Sequence, residues 1–289
     1  MKFSLSTVKI TASCLTLLLL CSSWGFFAHK ALNRLAVYTL PAEMGSFFRS
    51  NRQYLSDHAA DPDKRRYADT TEAPRHYLDT EGYESCIDSI PRKWTAAVTR
   101  YGLEKLHQNG ILPWQIRKSY DNLVRAFQER DTSKILHAAA YLGHYVADAH
   151  VPLHTTQNHD GQLSNQEGIH AFWESRLPEL FSKHYNYLVG RAHYIEDPLK
   201  EAWQIISHSH SLVDSVLQCE ASLQKASGGR RRYSYSKRKG LVIRQFSERY
   251  AWAYHQEMRG MVEKQMRAAI LAIGSYWYSA WVDAGQPVL

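Results

Sequence analysis

Three side chains of the kinds that hold metal ions fall within eleven residues: His144, Asp148 and His154, in the stretch His-Tyr-Val-Ala-Asp-Ala-His-Val-Pro-Leu-His. His144 and Asp148 are four apart, so on a helix they share a face. Pro152 breaks that helix, and His154, just past the break, is free to turn back towards the same point. The apolar lead-in over residues 135–142 predicts a buried helix. A buried helix with His and Asp on one face must satisfy both, and a bound metal ion is the simplest partner. A second pair at the same spacing, His170 and Glu174, lies downstream. Asp61 and His76 lie upstream, and His29 follows Trp24 by five residues. Histidine nitrogen with carboxylate oxygen suits zinc. One zinc takes three or four protein ligands, so this many candidates point to more than one ion. Clustered zinc ions suit phosphoryl chemistry, because they activate water and neutralise charge on the attacking and leaving oxygens. Helical His–carboxylate pairs also occur as ordinary core or surface residues, and spacing alone leaves that alternative standing.

The elements that must position these residues read as helix after helix. Apolar residues at helical spacing run from 29 to 40 and stop at Pro41, and residues 43–59 make a second helix. From 61 to 89 the pattern dissolves into Asp, Pro, Arg and Thr, and a loop that long in a compact domain is often functional. Pro91 fits the first turn of a helix to about Gln108, and Pro113 opens another to Arg130. Asp131, Thr132 and Ser133 offer caps for the helix that carries His144. Residues 155–168 read as a polar loop, 169–184 as a helix, and 198–219 as one long helix. Gly228-Gly229 begins a basic loop, Arg230 to Lys239, and 241–283 is a final helical stretch broken near Gly260 or Gly274. No segment shows sustained two-residue alternation, and there is no internal repeat. The expected fold class is all-α, a single-domain multi-helix bundle around the metal site.

The chain of 289 residues begins with Lys2 and Lys9, an apolar run over 10–21, and then Ser22, Ser23 and Trp24. That is the form of a secretory signal with small residues at the cleavage point. The run is shorter than the ~20 residues that span a bilayer; an N-terminal membrane anchor is the alternative. The expected organisation is a signal peptide over 1–23 and one helical domain over 24–289, secreted or periplasmic. The formal charge of +7 falls to +5 when Lys2 and Lys9 leave. Moderate positive charge favours polyanionic partners but is a weak signal alone. Cys86 and Cys219 remain; they are too few for a thiolate metal site, and an oxidising compartment allows them one disulfide.

Taken in order, these residues resemble the superfamily that holds bacterial zinc-dependent phospholipase C and the single-strand-specific zinc nucleases of fungi and plants. The matching elements are Trp24-Gly followed by His29; Ala-Asp61; His76-Tyr-Leu-Asp79; His144-x3-Asp148-x5-His154 with Pro-Leu before the last His; and His170-x3-Glu174. The resemblance implies three zinc ions. Asp61, His76, His144 and Asp148 would hold the first, and His154, His170 and Glu174 the second. The third would take the free amino nitrogen and carbonyl oxygen of Trp24 with His29, while Asp148 bridges to it. A hydroxide held between the first two ions would attack phosphorus in line, with Asp61 orienting or deprotonating the water, and the third ion would stabilise the leaving oxygen.

The implied activity is a zinc-dependent phosphodiester hydrolase. Within the resemblance, Lys64 stands where the nucleases carry a phosphate-contacting basic residue, and Tyr77 and Asp79 stand where they stack a base and bond its edge. Glu174, and the absence of an Asn pair before His170, match the phospholipases instead. A nuclease on single-stranded DNA or RNA is the favoured expectation, and a phospholipase C acting on phospholipid head groups is the alternative. A catalytically silent, zinc-stabilised cell-surface binding protein is the reading from another class. No obligate protein partner is evident, and a monomer is expected. His150, His208 and His210 are read as structural, and the aromatic-rich last helix as core.

Overall fold

The computed structural model describes residues 26–228, 231–238 and 240–289. The expected signal segment and Trp24 lie outside them. The longer helices are α1 (Phe26–Ala36), α2 (Ala42–Ser50), α3 (Arg52–Asp57), α4 (Asp61–Arg65), α5 (Trp94–Asn109), α6 (Leu112–Glu129), α7 (Thr132–Ala149), α8 (Pro198–Ser211), α9 (Val213–Ser227), α10 (Glu248–Glu257) and α11 (Met261–Asp283). They form one all-α domain, with a single two-stranded hairpin among the described residues. No helix among the described residues is long and apolar enough to cross a membrane.

The central helix is α7. Asp131 caps it by accepting from the Lys134 amide at 3.0 Å, as its position before the apolar run predicts. Twelve of its eighteen residues are buried, on more than one face. A helix buried that widely must be surrounded, and α6, α1 and α11 all pack on it. Trp277 of α11 is fully buried and donates its indole N–H to the Ala139 carbonyl at 2.9 Å. Asn33 of α1 donates to the Ala140 carbonyl at 3.0 Å and the Leu55 carbonyl at 3.3 Å. Gly143 permits that approach: a Cβ there would lie 2.1 Å from Asn33 Oδ1. The close approach also stacks the His29 and His144 rings, centroids 4.1 Å apart.

Several element boundaries differ from the sequence expectation, each for a local reason. Residues 43–59 make two helices because the Asn51 side chain bonds back to the Phe47 carbonyl at 2.9 Å and competes with the ladder there. The segment 198–219 likewise divides at Leu212, beside the Ser211 hydroxyl that donates to the His208 carbonyl at 2.6 Å. Pro91 precedes the helix rather than opening it, and α5 kinks at Gly102, where φ is +74°. The stretch 61–89 is a chain of short turns, α4, Ala73–His76, Thr80–Tyr83 and Ile87–Ser89. The last stretch breaks at Gly260, φ +77°, and not at Gly274, whose missing Cβ makes room for Thr39 Oγ1.

The largest correction concerns residues 233–246. The basic segment is not a loop, and residues 241–246 are not helical: β1 (Tyr233–Arg238) pairs antiparallel with β2 (Leu241–Phe246), Tyr233 opposite Phe246 and Arg238 opposite Leu241. Tyr-Ser-Tyr-Ser does alternate, and Leu-Val-Ile favours strand, so two-residue alternation is present after all. Gly240, φ +82°, closes the turn. Phe246 anchors the hairpin, stacked on Phe172 with centroids 3.9 Å apart.

Candidate metal centre

Helix α7 delivers His144, fully buried, and Asp148, 1% exposed, on one face. The chain then turns at Val151 into a 3-10 turn, Pro152–Thr155, that brings His154 back. Helix α1 supplies His29, and the turn Ala73–His76 supplies His76. A π-turn, Phe172–Arg176, follows Ile169–Ala171. Its wider winding, of a kind often found at functional sites, places His170 Nε2 2.8 Å from Glu174 Oε2.

These residues converge. His76 Nδ1 lies 3.0 Å from both Asp148 Oδ2 and His144 Nε2. His154 Nε2 lies 3.2 Å from His170 Nε2 and 3.4 Å from Glu174 Oε2. His29 Nε2 sits 3.3 Å from Asp148 Oδ1 and 3.3 Å from Glu174 Oε1. Four overlapping groups of donors result, each within 4.8 Å: His76, His144 and Asp148; His154, His170 and Glu174; His29, Asp148 and Glu174; and His29, Asp63 and His144. Asp148 therefore turns Oδ2 towards one group and Oδ1 towards another.

Asp61 does not join them. Its carboxylate accepts from His58 Nδ1 at 2.5 Å and from Lys64 Nζ at 2.6 Å, and these partners hold it below the usual carboxylate range against the opposing effect of burial. Two residues on, Asp63 Oδ1 lies 3.7 Å from His76 Nδ1 and 3.9 Å from His144 Nε2. Both carboxylates sit on α4, and the helix turns Asp63 inward. Nothing in the sequence chose between them beyond the Ala-Asp match. Lys64 is half exposed and spent on Asp61.

The ring orientations fit a divalent metal. His144 Nδ1–H donates to the Ala59 carbonyl at 2.8 Å, and His154 Nδ1–H to the His76 carbonyl at 2.6 Å. Each therefore presents an Nε2 lone pair inward, the orientation that outer hydrogen bonds give metal ligands. Two ring nitrogens facing each other at 3.0 Å, and two more at 3.2 Å, need a proton or a cation between them. Without a cation, burial opposes charging His154, but the Asp148 and Glu174 carboxylates lift it to about 9. Burial would also raise Asp148 and Glu174, yet the surrounding histidines hold both well below their usual range. A mixed nitrogen and oxygen donor set of this kind is what zinc takes.

One residue behind the cluster escaped the sequence reading. Glu72 is fully buried and accepts from Arg75 Nη1 at 2.5 Å, from Arg65 Nη2 at 3.0 Å and from the Tyr145 hydroxyl. His76 Nε2 approaches its Oε1 at 3.5 Å. Burial alone would raise the Glu72 carboxyl, but His76, Tyr145 and the two arginines bring it below its usual value. It backs His76 with a fixed negative charge. The four-residue spacing of Glu72 and His76 was its one sequence signal.

Tyr77 and Asp79 follow His76 just past the turn, both half-buried. The Tyr77 hydroxyl donates to the Gln108 carbonyl at 3.2 Å, and its ring lies against Gly110, which has no room for a Cβ. Asp79 is half-buried, and burial together with Glu81 pushes its carboxyl up to about 6. No donor reaches that carboxylate among the described residues. His150 donates to the Val146 carbonyl and His210 to the Thr155 carbonyl, as structural histidines do. Cys86 and Cys219 are separate free thiols.

The profile of a family described as zinc dependent phospholipase C matches residues 26–237. Nuclease S1 of Aspergillus oryzae (strain ATCC 42149 / RIB 40) is 23% identical over 205 residues, which cover 64% of this chain and 65% of the relative. The chain thus spans somewhat less than two thirds of that relative's length. The family match covers well over half of the chain, from α1 through β1, and takes in all of the converging residues. The chain belongs to the zinc-dependent phospholipase C family.

Proposed function

We propose that this member of the zinc-dependent phospholipase C family is a secreted phosphodiester hydrolase that holds three zinc ions and cuts single-stranded DNA or RNA. The observation that carries the metal assignment is the convergence of five histidines and three carboxylates on overlapping sites, with Asp148 facing two of them. His76, His144 and Asp148 hold the first ion, and Asp63 takes the carboxylate position expected of Asp61. His154, His170 and Glu174 hold the second. His29 and Asp148 hold the third, completed by the amino nitrogen and carbonyl of Trp24 once a signal over residues 1–23 is removed. Zinc bound there supplies Lewis acidity to water and to the phosphodiester oxygens.

The chain's own residues do the rest. The Ala59 and His76 carbonyls fix the ligand rings, and Glu72 backs His76. Asp63, partly exposed, stands at the edge of the cluster where an attacking water is oriented or gives up its proton. The Asp79 carboxylate, lacking a protein donor, is suited to accept from a base edge, and the part of the Tyr77 ring not packed on Gly110 is the candidate face for stacking.

The nuclease reading rests on Tyr77, Asp79 and the likeness to Nuclease S1. The phospholipase reading rests on Glu174 and on the family's description. A side-by-side assay of the zinc-loaded mature protein on single-stranded DNA, RNA and phosphatidylcholine separates them. Turnover of the nucleic acids above the lipid is expected. Turnover of phosphatidylcholine alone overturns the nuclease reading, and turnover of none overturns the enzyme.

A further inference from the structure

A concave feature lies behind the metal cluster, on the far side of Glu72. It is a furrow of about 760 Å³ between α6 and α7, lined in part by Tyr145 and by the two arginines that grip Glu72. Lys118, Asn122 and Arg125 line it from α6, at i, i+4 and i+7, which is one stripe of a helix. Lys134, His137 and Tyr141 line the opposing stripe of α7, and Arg65 and Arg75 join the lining. Of the five permanently charged cations in the lining, Arg65 and Arg75 pair with Glu72 and Asp69, and Lys134 pairs with Glu129 at 2.6 Å and with Asp131, so the uncompensated charge is that of Lys118 and Arg125. Lys118 and Arg125 are exposed and meet no carboxylate among the described residues. Arg65 and Arg75 are held by Glu72 and Asp69, and Arg75 Nη2 also donates to Thr71 Oγ1 at 3.0 Å, so both are fixed in place beside the two unpaired cations.

We propose that this furrow is an accessory binding site for single-stranded nucleic acid, separate from the metal cluster. The spread of charge argues for a linear polyanion. Lys118 and Arg125 are about 10 Å apart along their helix, too far to share one phosphate. A stacked strand carries a charge every ~3.4 Å along its axis, so that interval spans about three phosphates. Tyr54 and Tyr141 set half-buried rings among the cations, the pairing of charge and flat faces that single strands use. Among the described residues, the only aliphatic side chains in the lining are Ala126 and Ala138, too little apolar surface for a lipid face. Helix α4 forms the shared wall, with Asp63 turned to the histidines and Arg65 to the furrow. A strand held here keeps its uncut portion on the protein while another portion is at the metals. That role rests on the nuclease reading; binding itself does not.

The test uses the zinc-loaded mature protein and a 20-nucleotide phosphorothioate strand that resists cleavage. Binding is followed by fluorescence anisotropy from 50 to 300 mM salt, with the Lys118→Gln/Arg125→Gln double variant beside the wild type. The double variant is expected to bind roughly tenfold or more weakly at low salt, and its log–log salt slope to fall by ~1.4, as two fewer neutralised phosphates require. Cleavage of a dinucleotide, which reads the metals alone, stays unchanged. Lys118→Arg/Arg125→Lys keeps the charge and restores binding, which guards against a folding defect. Equal affinity and slope in wild type and double variant overturn the proposal. So does equal affinity for dinucleotide and 20-mer with displacement of both by inorganic phosphate, which marks a single-phosphate pocket. Binding of phosphatidylserine vesicles that the double variant loses, while strand binding persists, overturns it in favour of a membrane. Loss of dinucleotide cleavage in the wild type would sink the nuclease reading and leave the binding result intact.

Discussion

Asp63 and Asp61 are two residues apart, and the geometry gives them different work. Asp61 is occupied by His58 and Lys64, whereas Asp63 faces His76 and His144. Asp63→Asn is therefore expected to lower phosphodiester turnover by more than ~100-fold, beyond what losing an outer-shell partner costs, and to weaken zinc binding. Asp61→Asn is expected to cost less than tenfold on the same assay. The reverse order would restore Asp61 to the metal site. Asp79 makes a separate prediction. Its folded carboxyl sits at about 6, above its ordinary value of 3.8, so the fold disfavours the ionised form. The resulting destabilisation is absent near pH 4, grows as the pH rises to about 6, and is constant above. In the metal-free protein, Asp79→Asn should raise stability at pH 7 and leave it unchanged at pH 4. Denaturant titrations at the two pH values check this, and an equal effect at both would refute it. Most converging residues were legible in the sequence because His and carboxylate at i, i+4 are visible on a helix. Asp63 and Glu72 were not, because orientation on a five-residue helix and the partners of a buried charge are tertiary facts.

The elements matter through how closely they approach. Helix α1 can set His29 on His144 only because position 143 has no Cβ. Gly143→Ala would drive a methyl into the Asn33 amide, which holds α1 to α7 through the Ala140 carbonyl. Overpacking of this kind costs ~1–3 kcal/mol. The variant is expected to melt several degrees lower and to lose zinc from the His29 site before the others, as read by calorimetry and metal analysis. Unchanged melting and zinc content would show that α1 is free to shift. The helices of the bundle were legible from apolar spacing and from Asp131, Pro113 and Gly260. The hairpin was missed although its alternation is there to read, since its two strands are short and bracketed by charge, and their anchoring on Phe172, Tyr250 and Glu220 is tertiary.

For the whole molecule, zinc ions held at these sites would be part of what holds it together. The converging donors come from α1, α4, α7 and the turns around 76, 154 and 170, so ions held there would tie the segment 29–76 to α7 and the turns that follow it. In its absence several buried histidines and carboxylates are left to satisfy one another. An ion that binds only the folded state at ~100 times its Kd adds ~2.7 kcal/mol, and several such ions should matter more than any one helix. Chelation is expected to lower the melting temperature by on the order of 10 °C or more and to abolish turnover, with zinc restoring both. A melting curve indifferent to chelator would mean that the cluster is held by protons instead.

Asp148 is the pivot of the metal site, because its two oxygens face two groups of ligands. The decisive measurement is zinc per protein, by elemental analysis, in the mature chain and in Asp148→Asn, with turnover recorded on the same samples. Three ions in the wild type, falling to one with turnover lost, is the predicted result. Loss of a single ion with turnover retained would contradict the bridge and the mechanism built on it.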